Sequence, residues 1–357
     1  MSTTDDLRRE RIESIRMLRE SAAAIAPPGG DLKRIRALRF GSPAYDRRVW
    51  QQMCAMGWPG LRVPEDAGGA GLGMAEYCAL AEELGAGLTP EPLMACAMAA
   101  RLLRGASLAA LLSGQAVIIP AWQERADTVE PGPDTVFRDG RVSGRKVFLP
   151  VAAGIDAFLV TTQAGLALVQ ADAPGVLLEA VPTQDGGAFG TLTLTEAPGE
   201  AVAGDPADAI EEATLATAAT LLGIMERSFA LTLEFLRTRK QFGRPIGSFQ
   251  ALQHRAADLK LQIALTRASV ESAAAVLDSA TGLVPRRVAV SRAKARASEA
   301  AMLVTRQAIQ LHGGIGYTDE YDVGLYLRKA MVLANCFGSA QLHRNRFASL
   351  SRDHEDD

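Results

Sequence analysis

The chain has 357 residues, 48% of them hydrophobic, enough to bury a substantial core in one large domain or two to three small ones. A net charge of -3 argues against nucleic acid as a partner, which would call for a basic stripe. No uncharged apolar run approaches the ~20 residues a spanning helix needs, and the charged N-terminus excludes an ordinary secretory signal, so a cytoplasmic protein off the membrane is expected.

The first fifty residues are rich in Arg (Arg8, Arg9, Arg11, Arg16, Arg19, Arg34, Arg36, Arg39) interleaved with Asp5, Asp6, Glu10, Glu13 and Glu20, the pattern of a solvated helix face. Helices are broken at Pro27-Pro28-Gly29-Gly30 and by the glycine-rich loop Pro64–Gly73. Ala75–Leu84 and Leu93–Leu103, rich in Ala, Leu, Met or Glu, are predicted helices. Residues 1–114 therefore read as an N-terminal helical domain.

Between 115 and 206 the texture is that of strands. Val117–Ile119 is a short apolar run, and Thr135–Phe137 and Arg141-Val142 flank Asp139-Gly140, a strong hairpin signal. Phe158–Thr162 and Leu166–Gln170 flank a second Gly turn, and Thr191–Thr195 alternates with period two. With no helix-length crossover between strands, this middle β domain is expected to be antiparallel.

From 207 to 357 the period is helical. Leu215, Ala218, Leu222, Met225, Phe229, Leu233 and Leu236 step by three and four, as do Leu252, Ala256, Leu259 and Ile263. Ala289, Ala293, Ala297, Ala300, Val304, Ala308 and Leu311 form an Ala-rich stripe that permits close helix approach, and a fourth helix runs from about Val323 toward the C-terminus. Four amphipathic helices make a bundle, so the fold class is α+β: helical domain, small β domain, four-helix bundle.

Cys54, Cys78, Cys96 and Cys336 show no close pairing and no CxxC, and read as reduced, mostly core residues. The histidines at 254, 312, 343 and 354 lack metal-ligand spacing, so no metal is expected; His254 and His343 read as helix-surface or interface residues. The glycines of Pro64–Gly73 do not spell GxGxxG, and no strand and helix flank them, which argues against a Rossmann fold.

Three stretches carry the chemistry. Thr238-Arg239-Lys240-Gln241-Phe242-Gly243-Arg244-Pro245-Ile246-Gly247 sets a fixed cation and an aromatic on a corner shaped by Gly and Pro, suited to a diphosphate and a flat ring. A helix end capped by basic residues gives the same local pattern. In Gln310-Leu311-His312-Gly313-Gly314-Ile315-Gly316-Tyr317 the glycines let backbone approach a ligand, or simply reverse the chain. The third stretch is Arg328–Gln341, containing Asn335-Cys336-Phe337-Gly338-Ser339.

Together these stretches closely resemble the C-terminal signatures of the acyl-CoA dehydrogenase family, whose order of α domain, β domain and α bundle matches the zoning here. The resemblance implies α,β-desaturation of an acyl-CoA thioester, with FAD reduced and then reoxidised by an electron-transfer flavoprotein. It assigns cofactor contacts to Arg239, Gln241, Phe242, Gln310, Gly314, Ser339 and Gln341. In the family the matching Arg and Phe reach FAD bound mainly by the neighbouring subunit, which implies a homo- or hetero-oligomer. The Pro64–Gly73 loop matches one that packs near the acyl site.

The chain also departs from that family. Phe337 occupies the position that usually carries the catalytic Glu, and a phenyl ring cannot take a proton. Some members carry the base on the first bundle helix instead. That position falls on Ala213, and one residue of offset turns a side chain by about 100°. Its neighbours Glu212 and Glu211 are candidates, Glu212 first, although an acidic residue in a first helical turn also suits the dipole. The family's flavin-side loop is reduced to Trp122-Gln123-Glu124 or the fragment Glu130–Asp134. Its flavin-flanking strand reads Phe148-Leu149-Pro150, where Pro150 offers neither hydroxyl nor N–H. The expectation is a small or atypical subunit of a hetero-oligomeric dehydrogenase, similar to those acting on bulky or dicarboxylic acyl-CoA esters such as steroid side chains or pimeloyl-CoA. The alternatives are a self-sufficient homo-oligomer using Glu212 or Glu211, and a catalytically silent structural subunit.

Overall fold

A computed structural model describes residues 3–352, with side chains from 9 to 351; Asp5, Asp6, Arg8 and His354 of the readings above have side chains outside those described. In chain order the elements are α1 (Thr3–Ala22), α2 (Lys33–Leu38), α3 (Arg47–Ala55), α4 (Met74–Ala86), α5 (Leu93–Leu102) and α6 (Gly105–Leu112). Eight strands follow: β1 (Ile118–Ala121), β2 (Val136–Arg138), β3 (Arg141–Leu149), β4 (Ala157–Thr162), β5 (Gly165–Gln170), β6 (Val176–Pro182), β7 (Ala188–Pro198) and β8 (Glu200–Val202). The chain ends with α7 (Ala207–Thr238), the small hairpin β9 (Lys240–Gln241) and β10 (Arg244–Pro245), α8 (Gln250–Ser279), α9 (Leu283–His312), α10 (Val323–Leu333) and α11 (Ala340–Arg352).

These elements form two compact units. Among the described residues, one comprises 3–33, Cys78–Thr89 and 215–352; the other comprises Arg34–Tyr77 and Pro90–Thr214. The N-terminal compositional zone is thus shared between them.

In the helical unit, α7, α8 and α9 are long because their apolar steps persist for many turns; Pro285 falls in the first turn of α9, where its missing N–H breaks no helical bond, and Gly223 of α7 sits at a close helix contact. The Ala stripe of α9 is buried along its length, as its spacing predicts. Backbones touch where α4 meets α7: a Cβ on Gly85 would lie 2.2 Å from the Thr220 carbonyl oxygen, and one on Gly223 1.9 Å from that of Glu82. Glu82 accepts from Arg19 (2.8 Å) and Arg267 (3.0 Å), and Glu226 pairs with Arg267 at 3.2 Å. Arg19 therefore serves as an inward clasp, unlike the solvated face expected of the early arginines. The fourth bundle helix is interrupted: α10 stops at Leu333 and α11 begins at Ala340, because Phe337 (φ 55) and Gly338 (φ 98) both take left-handed backbone.

The second unit holds two four-stranded sheets, ordered β1-β4-β5-β8 and β2-β3-β7-β6. The Asp139-Gly140 turn (φ 51 and 74) closes the β2–β3 hairpin as expected, and β7 buries Leu192 and Leu194 on alternate positions. The all-antiparallel expectation is corrected at one pair: β1 runs parallel to β4, with Ile118 opposite Ala157. The connection between them is the β2–β3 hairpin of the other sheet, which does the work of a crossover helix. Cys54, Cys78 and Cys96 are buried, Cys336 is half-buried, and all four are free thiols. Among the described residues no helix is long and apolar enough to cross a membrane.

Candidate functional site

The corner after α7 is a two-residue hairpin turn. The Arg239 N–H donates to the Phe235 carbonyl (2.8 Å), and the Arg239 carbonyl accepts from Ile246 N (2.8 Å), so the corner is fixed at its base. At its tip Phe242 (φ 51) and Gly243 (φ 77) are both left-handed, as a type I′ turn demands. Glycine takes that conformation freely, whereas a phenylalanine there costs about 1 kcal/mol. The strained Phe242 ring is 90% exposed, touched edge-on by Phe249 at 6.2 Å. Arg239, Gln241 and Arg244 are exposed around it.

The glycine-rich turn after α9 belongs to the same end of the helical unit. His312 stacks on Phe235 of α7 with ring centroids 4.5 Å apart and leans on Tyr321 at 4.8 Å. Its Nδ1–H donates to the Ala308 carbonyl (2.7 Å), and burial lowers its basicity. His312 is accordingly a structural pin joining two helix ends. Gln310 and Gly314 are exposed beside it, and a Cβ on Gly314 would meet no atom within 4 Å, leaving bare backbone open to a ligand.

The remaining candidates lie around the α10–α11 turn. Lys294 Nζ, wholly buried, donates to the carbonyls of Ala334 (3.1 Å) and Gly338 (3.0 Å) and to Ser298 Oγ (2.9 Å). Burial pushes its ammonium down to about 8. From the other side His343 Nε2–H donates to the Phe337 carbonyl at 2.8 Å. His343, expected at a helix surface or an interface, is fully buried within the chain; burial and the nearby Lys294 and Arg346 charges drop its pKa to about 3. Two side chains from different helices thus clamp the left-handed turn that carries Phe337.

Ser339 Oγ accepts from Leu342 N (3.3 Å) and so caps α11, while the Gln341 amide donates to Asn345 at 2.8 Å. Both line a groove of about 950 Å³ between α9, α10 and α11, with Met302, Leu303, Arg306 and Met331. Arg306 lies one turn before Gln310 on the same face of α9, so the groove wall continues toward the glycine turn.

Glu212 is differently placed. Its Oε1 accepts from Arg62 (2.8 Å) and Arg101 (3.3 Å), and its Oε2 from Arg101 (3.1 Å). Arg62 also donates to the Leu72 carbonyl (2.7 Å), tying α7 to the Pro64–Gly73 loop. Both oxygens of the expected base are engaged by guanidinium donors from Arg62 and Arg101. Glu211 beside it is buried as well. The Arg62–Arg101 pair was not legible beforehand: residues 62, 101 and 212 share no motif and meet only in the fold.

Family comparisons agree with the geometry. The family model for the acyl-CoA dehydrogenase N-terminal domain matches residues 13–109, and that for the C-terminal domain matches residues 207–350. Acyl-CoA dehydrogenase IpdE2 of Mycolicibacterium smegmatis is 33% identical over 334 residues, covering 92% of this chain and 94% of its own. This chain belongs to the acyl-CoA dehydrogenase family. Solved structures include a variant of the Tcur3481-Tcur3483 steroid ACAD, with TM-score 0.87 and 30% identity, covering 98% of this chain and 100% of its own. The ChsE4-ChsE5 complex from Mycobacterium tuberculosis gives TM-score 0.82 and 27% identity, with 97% of each chain covered.

FAD is the cofactor of this family, and the two units of the chain fit it unequally. The helical unit fits: an exposed aromatic, exposed guanidinium groups and bare glycine backbone stand together at one end. The β unit does not. Pro150 lacks the N–H a flavin edge would use, Phe148 (φ 57) turns its ring edge-on to Phe189 (6.1 Å), and the Trp122–Thr135 segment is folded around its own Glu124.

Proposed function

We propose that this chain is the base-lacking subunit of a two-chain acyl-CoA dehydrogenase in the cytoplasm. The assembly catalyses α,β-desaturation of a bulky acyl-CoA thioester, and an electron-transfer flavoprotein reoxidises it. The partner is a related chain that supplies the catalytic carboxylate and most of the flavin cradle. FAD, when bound, supplies the acceptor for the hydride that leaves the β-carbon.

This chain's own residues hold and shield. The Arg239 guanidinium offers a fixed fork of donors to a diphosphate, and Phe242 presents an apolar face that leaves water when the two chains meet. Gln310 and the bare Gly314 backbone receive the adenosine end, while Ser339 and Gln341 border the adjoining groove. Phe337, clamped by His343 and Lys294, excludes water without moving a proton. Glu212 anchors the Pro64–Gly73 loop through Arg62 and Arg101.

The observation that carries this reading is the divided site: an outward-facing cofactor corner in a chain that has Phe337 where the family's base usually stands and a Glu212 paired to both Arg62 and Arg101. Similarity to the two-chain steroid ACAD and to the ChsE4-ChsE5 complex supports the paired arrangement and the bulky substrate class. The test is to isolate the assembly through a tag on this chain and compare it with the chain alone. The expected result is flavin absorbance and acyl-CoA bleaching in the assembly and neither in the lone chain. Full flavin and turnover from the lone chain would replace this reading with a self-sufficient homo-oligomer, and an assembly indifferent to Arg239→Ala would leave only a structural role.

A further inference from the structure

The segment from β1 to β2 closes on one of its own side chains. Four donors converge on the Glu124 carboxylate: Lys146 Nζ (2.7 Å), Thr135 Oγ1 (2.7 Å) and Thr135 N (3.0 Å) reach Oε1, and Asp134 N (2.9 Å) reaches Oε2. Lys146 sits in β3 with its side chain fully buried, and its other bond goes to Thr161 Oγ1 at 3.0 Å. Thr161 Oγ1 donates in turn to the Trp122 carbonyl (3.2 Å), which fixes the start of the same segment.

Two successive backbone N–H groups aimed at one anion, together with a hydroxyl and an ammonium, make a recess of the kind that binds carboxylate or phosphate oxygens. Glycine is required at its rim, since a Cβ on Gly132 would stand 1.9 Å from Glu124 Oε2. Burial raises the pKa of Glu124, but hydrogen bonds from Lys146, Thr135 and Asp134 outweigh it and hold the group below the usual carboxylate range. A carboxylate tethered ten or so residues before its own donors fills the recess as a bound ligand would.

We propose that Asp134, Thr135 and Lys146 form an anion cradle for a carboxylate group, and that Glu124 is its built-in occupant, which shuts the β unit to any external anion or cofactor. One consequence rests on the shared-flavin reading given above: the native assembly carries one flavin per two chains, because this chain's own half-site is closed.

The cradle is tested by melting wild type and Glu124→Ala in acetate and in chloride at equal ionic strength. Removing the carboxylate is expected to lower the melting temperature, and acetate to recover most of that loss while leaving wild type unmoved. Acetate that fails to stabilise the folded variant, or that stabilises wild type equally, overturns the cradle. The paired replacement Glu124→Leu with Lys146→Met removes occupant and ammonium together and keeps the experiment decisive where Glu124→Ala does not fold. It is expected to melt closer to wild type than Lys146→Met alone and to ignore acetate; a response to acetate there contradicts the assignment. Flavin counted per chain in the native assembly is expected at one per two chains, and one per chain sinks the closed half-site. Acetate rescue with a silent Arg239→Ala would reject the shared flavin while the cradle stands, and the converse pair of results would do the reverse.

Discussion

The end of the helical unit and the β1–β2 segment handle charge in opposite ways. Around Phe242 the cations Arg239 and Arg244 are exposed, and the ring itself sits outside in a left-handed turn. Around Glu124 the ammonium of Lys146 is buried and every donor has an intramolecular acceptor. An exposed aromatic in strained backbone adds little to folding, so its presence points to use by something outside the unit. A buried ion pair with complete hydrogen bonding is the reverse, a site already filled. One region is built to give contacts and the other to keep them.

The largest expected effect concerns which class Glu212 belongs to. Replacing it by Ala leaves Arg62 and Arg101 without their carboxylate in a mostly buried place, and about 3 kcal/mol of stability should go with it. Chemical denaturation of Glu212→Ala against Glu212→Gln measures this. Turnover of the assembly should fall only as far as folded protein is lost. A folded, flavin-loaded variant that loses roughly 10²–10⁴-fold in rate would instead make Glu212 the base and place it among the outward-acting residues.

Next in size is Arg239→Ala in the isolated assembly. Removing a fixed guanidinium from a diphosphate should raise the flavin dissociation constant about a hundredfold, with the melting curve of the lone chain unchanged because the side chain is exposed. Flavin release on dilution reads the first and calorimetry the second. If the lone chain melts earlier, Arg239 is a helix-end cap and the contrast between the two regions weakens.

Much of this contrast could be read in the sequence, and its limits are physical. Gly243, Gly313 and the Asp139-Gly140 turn announce themselves because special backbone needs special residues. The corner of Arg239 and Phe242 stands out as a candidate because its motif is contiguous. Glu124 with Lys146, and Glu212 with Arg62 and Arg101, are ion pairs across long sequence separations, and single-sequence periodicity does not encode which charges will meet. The parallel β1–β4 pair escaped for a related reason: the crossover that permits it is a hairpin of another sheet, whereas the rule looks for a helix. His343 reads from the sequence as a helix-surface or interface residue, yet the carbonyl of Phe337 needs a donor and draws it inward.

That clamp predicts acid sensitivity. His343 has a folded pKa of about 3 against 6.5 for an ordinary histidine, so the unfolded chain takes its proton first as pH falls. The stability it allows is complete above pH 6.5 and declines toward pH 3, by roughly 2 kcal/mol at about pH 5. Melting temperature against pH for wild type and His343→Gln tests it: the variant should start lower and slope less. Equal slopes would mean that the turn bearing Phe337 is not held by a neutral imidazole.

The smallest effect is the most discriminating. Phe242→Gly removes a left-handed phenylalanine whose ring is 90% exposed, so it takes strain out of the hairpin and gives up almost no buried surface. The lone chain should melt at the same temperature or slightly higher, by the equivalent of at most about 1 kcal/mol. In the assembly the same change should weaken association or flavin retention, because the ring gains its contacts only there. A substitution that helps the isolated fold and harms the complex cannot be explained by damage to the fold. Should Phe242→Gly lower the stability of the lone chain instead, the ring contributes to this chain's own packing, and the outward reading of the corner fails at the residue on which it depends most.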